Sequence, residues 1–157
     1  MSGFRRGARL GVDVGTARVG VARCDPDGLL AVPIETVPRN AGAVPRVVAL
    51  AEEYDALEIL VGLPVSLSGT ETASTADARA FAVQLAGASG RPTRMVDERL
   101  STVSAHSALR NAGRSQKSSR RIIDQVAAVV LLQHAIDVEK STGTPAGTLL
   151  PESQEPS

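Results

Sequence analysis

Three acidic residues, Asp13, Glu98 and Asp124, lie within or directly beside apolar segments of this 157-residue chain. An unpaired carboxylate is costly to bury in such surroundings, so a charged partner or a metal ion is expected beside each. No histidine or cysteine is close to them, and oxygen ligands alone select a hard cation, Mg²⁺ or Mn²⁺. Two such ions held by acids would activate water and stabilise the leaving oxygen of a phosphodiester. These residue types therefore predict metal-dependent phosphodiester hydrolysis.

Asp13 lies in a segment whose side chains alternate as in a β-strand. It shares one face with Gly11 and Gly15, and the intervening apolar residues point to the other face. Because the two glycines project no side chain, a ligand can approach the carboxylate closely. The alternative is a structural acid that caps the Gly-Thr-Ala-Arg turn.

Asp97 and Glu98 stand at the end of a predicted strand. In open sheets, ligands collect beyond the carboxyl ends of parallel strands, so one of these acids is a candidate metal ligand. Alternation along the strand leaves both open. The alternative is that one acid only interacts with the dipole of the next helix, for which Ser101 is a good N-cap.

Asp124 falls on the apolar stripe of the last predicted helix. Ala127 and Ala128 follow it by three and four residues, and Leu131 lies one turn further. The two small alanines leave room for an ion and its water. The alternative is a partly exposed acid near the positive end of the helix dipole.

A basic stripe separates the second and third candidate acids. Residues 99–121 contain six lysines or arginines and no acid, namely Arg99, Arg110, Arg114, Lys117, Arg120 and Arg121. Such a stripe can neutralise several phosphates of a nucleic acid. Taken alone it is also typical of a solvated helical face, but its position between the candidate acids favours nucleic-acid binding.

Composition limits the class of protein. The chain is 43% hydrophobic, which suits one globular domain, but it has only two Phe, one Tyr and no Trp. Base-stacking platforms for single strands are therefore not expected. No apolar run is long enough to span a membrane and no signal peptide is recognisable. Together with a single cysteine, Cys24, this predicts a cytoplasmic protein.

The order of predicted elements indicates an α/β fold. Strands are predicted at residues 8–14, 19–24, 29–37, 57–63 and 92–97, and helices at about 44–54, 73–87, 101–112 and 118–140. The first three strands form an antiparallel meander and the others join by parallel crossovers, which makes a mixed five-stranded sheet flanked by helices. We expect one domain over residues 1–140 and a disordered tail over 141–157.

Four motifs resemble those of the YqgF/RuvX family. They occur in the family's order over about residues 8–138: Gly11-Val12-Asp13-Val14-Gly15-Thr16-Ala17-Arg18-Val19-Gly20-Val21-Ala22, Gly62-Leu63-Pro64, Asp97-Glu98-Arg99-Leu100-Ser101-Thr102 and Asp124-x-x-Ala127-Ala128. The resemblance implies an RNase H-like fold related to the RuvC resolvase and a divalent-metal nuclease. Its substrate would be either a Holliday junction or the 5′ end of pre-16S rRNA.

The resemblance also assigns roles to single residues. It places Asp13, Glu98 and Asp124 at the catalytic acid positions, which favours Glu98 over Asp97. Arg18, Arg99 and Thr102 match motif positions near the scissile strand, and we expect Thr16 of the first motif to contact nucleic acid as well. Where the family commonly has an acid before Gly-Thr, this chain has Ser68.

A junction substrate would require two symmetric cuts and hence a homodimer.

Two other functions compete with the nuclease. The segment from Asp13 to Thr16 before a hairpin also resembles the first phosphate loop of actin-like ATPases, which need a second such loop and a second lobe. The sequence contains neither. The other competitor is a nucleic-acid binding module that uses the basic stripe without cleavage. It predicts salt-sensitive binding that survives loss of Asp13.

Overall fold

The computed structural model describes residues 4–66, 68–98 and 116–150, with side chains in the last range from residue 125 onward. These ranges form a six-stranded sheet in the order β3-β2-β1-β4-β5-β6. The strands are β1 Arg9–Val14, β2 Arg18–Cys24, β3 Ala31–Pro38, β4 Glu58–Leu63, β5 Thr93–Asp97 and β6 Thr148–Leu149. The helices are α1 Ala43–Glu53, α2 Ala73–Ser89 and α3 Gln116–Thr142. The helix predicted over 101–112 lies outside the described residues.

The sheet is mixed, as the element order predicts. β1, β2 and β3 pair antiparallel, while β4 pairs parallel with both β1 and β5. The turn that begins at Asp25 closes the second hairpin, because its carboxylate accepts hydrogen bonds from the amides of Leu29 and Leu30 at 2.9 Å. The meander followed by parallel crossovers is therefore confirmed.

Each face of the sheet has its own aliphatic core. Val12, Val61 and Met95 point to the face covered by α1 and α2. Leu60 and Val96 point to the opposite face, where α3 packs. Because successive residues of a strand point to opposite faces, these positions determine the face that every other residue of β1, β4 and β5 occupies.

The long helix α3 runs antiparallel to β1. Near its start, the Gln125 side chain donates to Thr36 Oγ1 at 2.8 Å. Thr36 pairs with Gly20, and Gly20 pairs with Asp13. Gln125 therefore lies at the same height along the strands as Asp13. At its other end, Glu139 contacts Arg9 at the beginning of β1. The first turns of α3 therefore lie at the carboxyl end of β1.

The end of the sheet where β1 begins holds a buried ionic network. Arg9, Glu58 and Glu139 are each no more than 2% exposed. Arg5 donates to both glutamates at 2.9–3.0 Å, and Arg94 donates to Glu58 at 3.0 Å. Burial by itself would raise the pKa of Glu139, but hydrogen bonds from Arg5 and the charge of Arg9 lower it to about 2. All of these charges thus have partners inside the protein.

The chain beyond α3 differs from the sequence prediction. Residues 143–150, expected to belong to a disordered tail, fold back, and Thr148–Leu149 pairs antiparallel with β5 as a sixth strand. The Leu150 amide donates to Thr93 O at 2.9 Å. The prediction of five strands was wrong because a two-residue strand has no periodicity, although it satisfies backbone groups along the edge of β5. Residues 151–157 lie outside the described part.

Over the ranges that the structure describes, no helix combines the length and hydropathy needed to cross a membrane.

Candidate active site

Asp13 lies on the α3 face of β1, near the strand's carboxyl end. It alternates with Val12, which belongs to the core on the other face. Gly11, two residues earlier on the same face, is closely approached by α3. A Cβ at Gly11 would lie 2.9 Å from Ala128 O and 2.8 Å from Leu132 Cβ. The absence of a side chain at Gly11 therefore lets the helix pack directly beside the half-buried Asp13.

Glu98 follows β5 and is 8% exposed. Its amide donates to Leu63 O at 3.2 Å, which continues the parallel pairing by one residue. Its side chain lies over Gly62, where an added Cβ would overlap the Oε2 atom and lie 2.6 Å from Cδ. The Glu98 carboxylate thus occupies space that exists only because residue 62 is a glycine.

The strand register brings Asp13 and Glu98 to one edge and one face of the sheet. Val12 pairs with Val61, so the next residue of β4, Gly62, stands beside Asp13. The carboxylate of Glu98 covers Gly62 on the α3 face. The two acids therefore flank the same short piece of β4.

Asp97 takes the opposite orientation. It alternates with Val96 of the α3-side core and shares its face with Met95 of the other core. It pairs in register with Leu63, which also packs against that second core. The strand geometry thus separates two neighbouring acids that the sequence left as alternatives.

The backbone of Asp124 lies in α3, directly before Gln125. It is therefore on the α3 face of the sheet, at about the same height along the strands as Asp13. Its side chain lies outside the described part of the chain. Among the described side chains there is no group of three histidine, cysteine or acidic residues that could hold a metal ion. Of the three expected ligands, Asp13 and Glu98 are the two whose side chains the structure describes.

The predicted nucleic-acid contacts are only partly described. Thr16 is exposed in the turn between β1 and β2, and Arg18 begins β2 with a half-buried side chain. Three basic positions lie in the first turns of α3, where only the backbone is described: Lys117, Arg120 and Arg121. The remaining ones fall outside the described residues: Arg99, Thr102, Arg110 and Arg114.

Sequence reasoning did not assign a role to Gly62, although this residue determines where Glu98 lies. A signal was available, because a glycine at the end of a buried strand often marks the close approach of another group. Periodicity alone could not identify that group, since Glu98 is 36 residues later in the chain.

The described part of the site suits a hard cation. Asp13 and Glu98 supply carboxylate oxygens, and the glycines at 11 and 62 keep bulky side chains away from them. These oxygen donors lie at the carboxyl edge of the parallel strands, on either side of β4, and in open sheets ligands collect beyond that edge.

Comparison with known proteins agrees with this architecture. A Thermus thermophilus RuvC in complex with a Holliday junction substrate has a similar structure, with a TM-score of 0.57. The alignment covers 91% of this chain and 99% of that one at 17% identity, a likeness that concerns the fold alone. The predicted RNase H-like fold is confirmed.

Sequence relatives match along nearly the whole chain. Proteins from Clavibacter michiganensis and Thermobifida fusca are 56% and 49% identical, over 96% and 94% of this chain and 96% and 98% of their own. One from Leifsonia xyli is 54% identical over 92% of this chain and 94% of its own. All three carry the provisional name of a pre-16S rRNA nuclease. Residues 7–138 match the family described as RuvX, Holliday junction resolvase. The chain therefore belongs to the RuvX family of nucleases.

Proposed function

We propose that this protein is a divalent-metal-dependent endonuclease that processes the 5′ end of pre-16S rRNA. Asp13, Glu98 and Asp124 are its catalytic acids and metal ligands. The observation that carries the proposal is that Asp13 and Glu98, 85 residues apart, lie on the same face beside Gly62. Asp97, the second choice for the metal ligand, points to the opposite face.

The acids would hold Mg²⁺ or Mn²⁺, which supplies an activated water and neutralises charge on the phosphate when bound. Asp13 and Glu98 are kept in place by the sheet, so the chain itself orients the ligands before substrate arrives. Asp124 would approach from α3, whose backbone crosses the sheet at the level of Asp13. No side chain is required as a covalent nucleophile.

The pre-rRNA substrate is supported by relatives of 49–56% identity that align over nearly their whole length. A second candidate substrate is the Holliday junction, which is supported by the description of the family. A junction would require two symmetric cuts and therefore a homodimer.

We also propose that the protein acts in the cytoplasm, which the free, buried thiol of Cys24 supports.

Nucleic acid would reach the acids along the basic stripe at the start of α3 and before it. We assign phosphate binding to its six basic residues, and contacts near the scissile bond to Thr16, Arg18, Arg99 and Thr102. Since α3 begins at the carboxyl end of β1, its first turns lie on the side of the sheet where Asp13 is placed. Each neutralised phosphate should make binding more sensitive to salt.

The test is cleavage of a precursor rRNA fragment and of a synthetic four-way DNA junction in Mg²⁺, Mn²⁺ or EDTA. The wild type should trim the RNA only with metal, whereas Asp13→Asn should bind it and leave it intact. Asp27→Asn is the matched control, because Asp27 is an exposed acid whose partner is Arg6. Symmetric nicking of the junction would instead favour the second substrate.

Failure of the wild type to cut either substrate in both metals would overturn the nuclease. Salt-sensitive binding that persists in Asp13→Asn without any cleavage would then identify a binding module. Hydrolysis of ATP in the absence of nucleic acid would identify a relative of the actin-like ATPases.

A further inference from the structure

We propose that the ion pair between Arg39 and Asp77 positions the turn between β1 and β2, and with it Asp13, relative to Glu98. Arg39 follows β3 and Asp77 lies in α2, so neither belongs to the site described above. The inference rests on the proposed nuclease function and adds two positioning residues to it.

Arg39 holds the β1–β2 turn on both sides of Thr16. Its Nη1 donates to Gly15 O at 2.8 Å, and its backbone amide donates to Ala17 O at 3.0 Å. Gly15 is two residues beyond Asp13 in the chain. The turn is also closed internally, because the Gly15 amide donates to Arg18 O at 2.8 Å. Arg39 is thus an external support for a turn whose residues are expected to meet the substrate.

The same guanidinium is attached to α2. Its two terminal nitrogens donate to the two carboxylate oxygens of Asp77 at 2.9 and 3.0 Å, and its central carbon lies 5.1 Å from the centroid of the Phe81 ring. The hydrogen bonds from Arg39 lower the pKa of Asp77, so the pair is charged at neutral pH. A lysine could not reproduce this planar, two-pronged contact.

The other support of α2 lies beside Glu98. The buried hydroxyl of Thr75 donates to Pro64 O. The preceding carbonyl, Leu63 O, accepts the hydrogen bond from the Glu98 amide. The first turn of α2 is therefore attached to the end of β4, and the next turn, through Asp77 and Arg39, is attached to the β1–β2 turn.

These contacts form one continuous series from Glu98 to Asp13 across the carboxyl edge of the sheet. The side chain of Arg39 is 23% exposed and that of Asp77 is 39% exposed. Pairs this close to solvent add little to global stability. Loss of the two-pronged contact should therefore affect the placement of the turn more than the fold, and misplacement by about 1 Å can slow a reaction a hundredfold.

The experiment compares Arg39→Lys with Arg46→Lys. Arg46 forms an equally two-pronged pair with Glu35, at 2.7 and 2.9 Å, but this pair connects α1 to β3 and, within the described residues, has no hydrogen bond to the β1–β2 turn. Single-turnover cleavage of the precursor rRNA in Mg²⁺ is measured beside binding in Ca²⁺ and the melting temperature. We expect Arg39→Lys to lower the cleavage rate about tenfold with Kd unchanged. Arg46→Lys should stay within about twofold of the wild type.

Asp77→Asn, alone and combined with Arg39→Lys, shows whether the pair acts as a unit. The double variant should be no slower than the slower single variant, because each change removes the same contact. Equal cleavage rates for Arg39→Lys and Arg46→Lys would overturn the proposal, as would a loss accounted for by a lower fraction of folded protein.

A second readout does not depend on cleavage. Amide hydrogen exchange at residues 15–18 should accelerate in Arg39→Lys and remain as in the wild type in Arg46→Lys. Unchanged exchange in both would refute the positioning role even in an active enzyme. A wild type that cuts nothing, but whose turn loosens in Arg39→Lys, would instead remove the proposed function and leave the pair as a purely structural support.

Discussion

Both ends of the central sheet bury acidic side chains, but the surroundings of these acids differ. At the end where β1 begins, Glu58 and Glu139 are surrounded by three arginines that occupy their oxygens. At the other end, Glu98 lies over Gly62, and Asp13 follows Gly11 on the same face. At the first end arginines pair with the buried glutamates, and at the second end glycines leave room for the two acids.

This difference shows that burial of an acid does not by itself indicate catalysis. Glu139 is more deeply buried than Glu98, yet its contacts explain it fully as a structural group that ties α3 to β1. At Glu98 the informative feature is the glycine beneath the carboxylate, because a glycine within a strand weakens the strand and often marks the close approach of another group. Four predictions test whether one end of the sheet is structural and the other is the proposed active site.

The largest effect is expected for Glu98→Gln. Because the amide is a poor ligand for a hard cation, cleavage in Mg²⁺ should fall at least about thousandfold, which corresponds to roughly 4 kcal/mol in the barrier. The amide still fits over Gly62, so the loss of cleavage should far exceed the change in the fraction of folded protein. Cleavage rates and urea unfolding of the same preparations provide the measurements, and retention of a tenth of the activity would contradict the assignment.

Glu139→Gln should behave in the opposite way. Removing the charge of Glu139 leaves Arg5 and Arg9 with Glu58 as their remaining carboxylate partner, so the unfolding free energy should drop by about 3 kcal/mol. Activity per folded molecule should stay within about twofold, because the site lies at the other end of α3. Asp27→Asn, which breaks the exposed pair with Arg6, is the control and should cost no more than about 1 kcal/mol. A selective loss of cleavage in Glu139→Gln would erase the distinction between the two ends.

Gly62→Ala tests whether the absence of a side chain at position 62 is needed for the observed position of the Glu98 carboxylate. The added Cβ would overlap the carboxylate, so we expect cleavage to fall about a hundredfold through displacement of Glu98. Gly87→Ala in α2 is the matched control, because no atom of the described residues lies within 4 Å of the added Cβ. It should leave activity intact and stabilise the protein by about 0.5–1 kcal/mol. Full activity of Gly62→Ala would show that Glu98 has no fixed position.

The smallest effect concerns pH. Glu139 has a pKa of about 2 in the folded protein and an ordinary value of 4.5, so its contribution to stability is complete above about pH 5. It is lost as the pH falls through about 2. The stability difference between wild type and Glu139→Gln should therefore be constant from pH 8 to 5 and shrink by roughly half near pH 3. Urea titrations at these pH values measure it, and a constant difference would mean that Arg5 and Arg9 do not hold the carboxylate.

Much of the fold could be predicted because its signals are local. The alternation in β1 and β2, the turn at Asp25 and the apolar stripe of α3 each lie within one window of sequence, and the structure has all of them. The strand Thr148–Leu149 could not be predicted, because its only reason to form is the open edge of β5. The ionic network could not be predicted either, because it joins residues that are distant in sequence. Arg9 and Glu139 are 130 residues apart in the chain.

By itself the sequence determined the α/β order of elements and the set of acids that are candidates for metal binding. It also contains the two glycines, at positions 11 and 62, beside which Asp13 and Glu98 lie. Only the tertiary structure decided that Glu98 and not Asp97 faces the same side as Asp13. The pleat of β5 assigns neighbouring residues to opposite faces, and only packing against α3 determines which face is which. That the carboxylate of Glu98 lies over Gly62 depends on strand register, a long-range property that no local pattern contains.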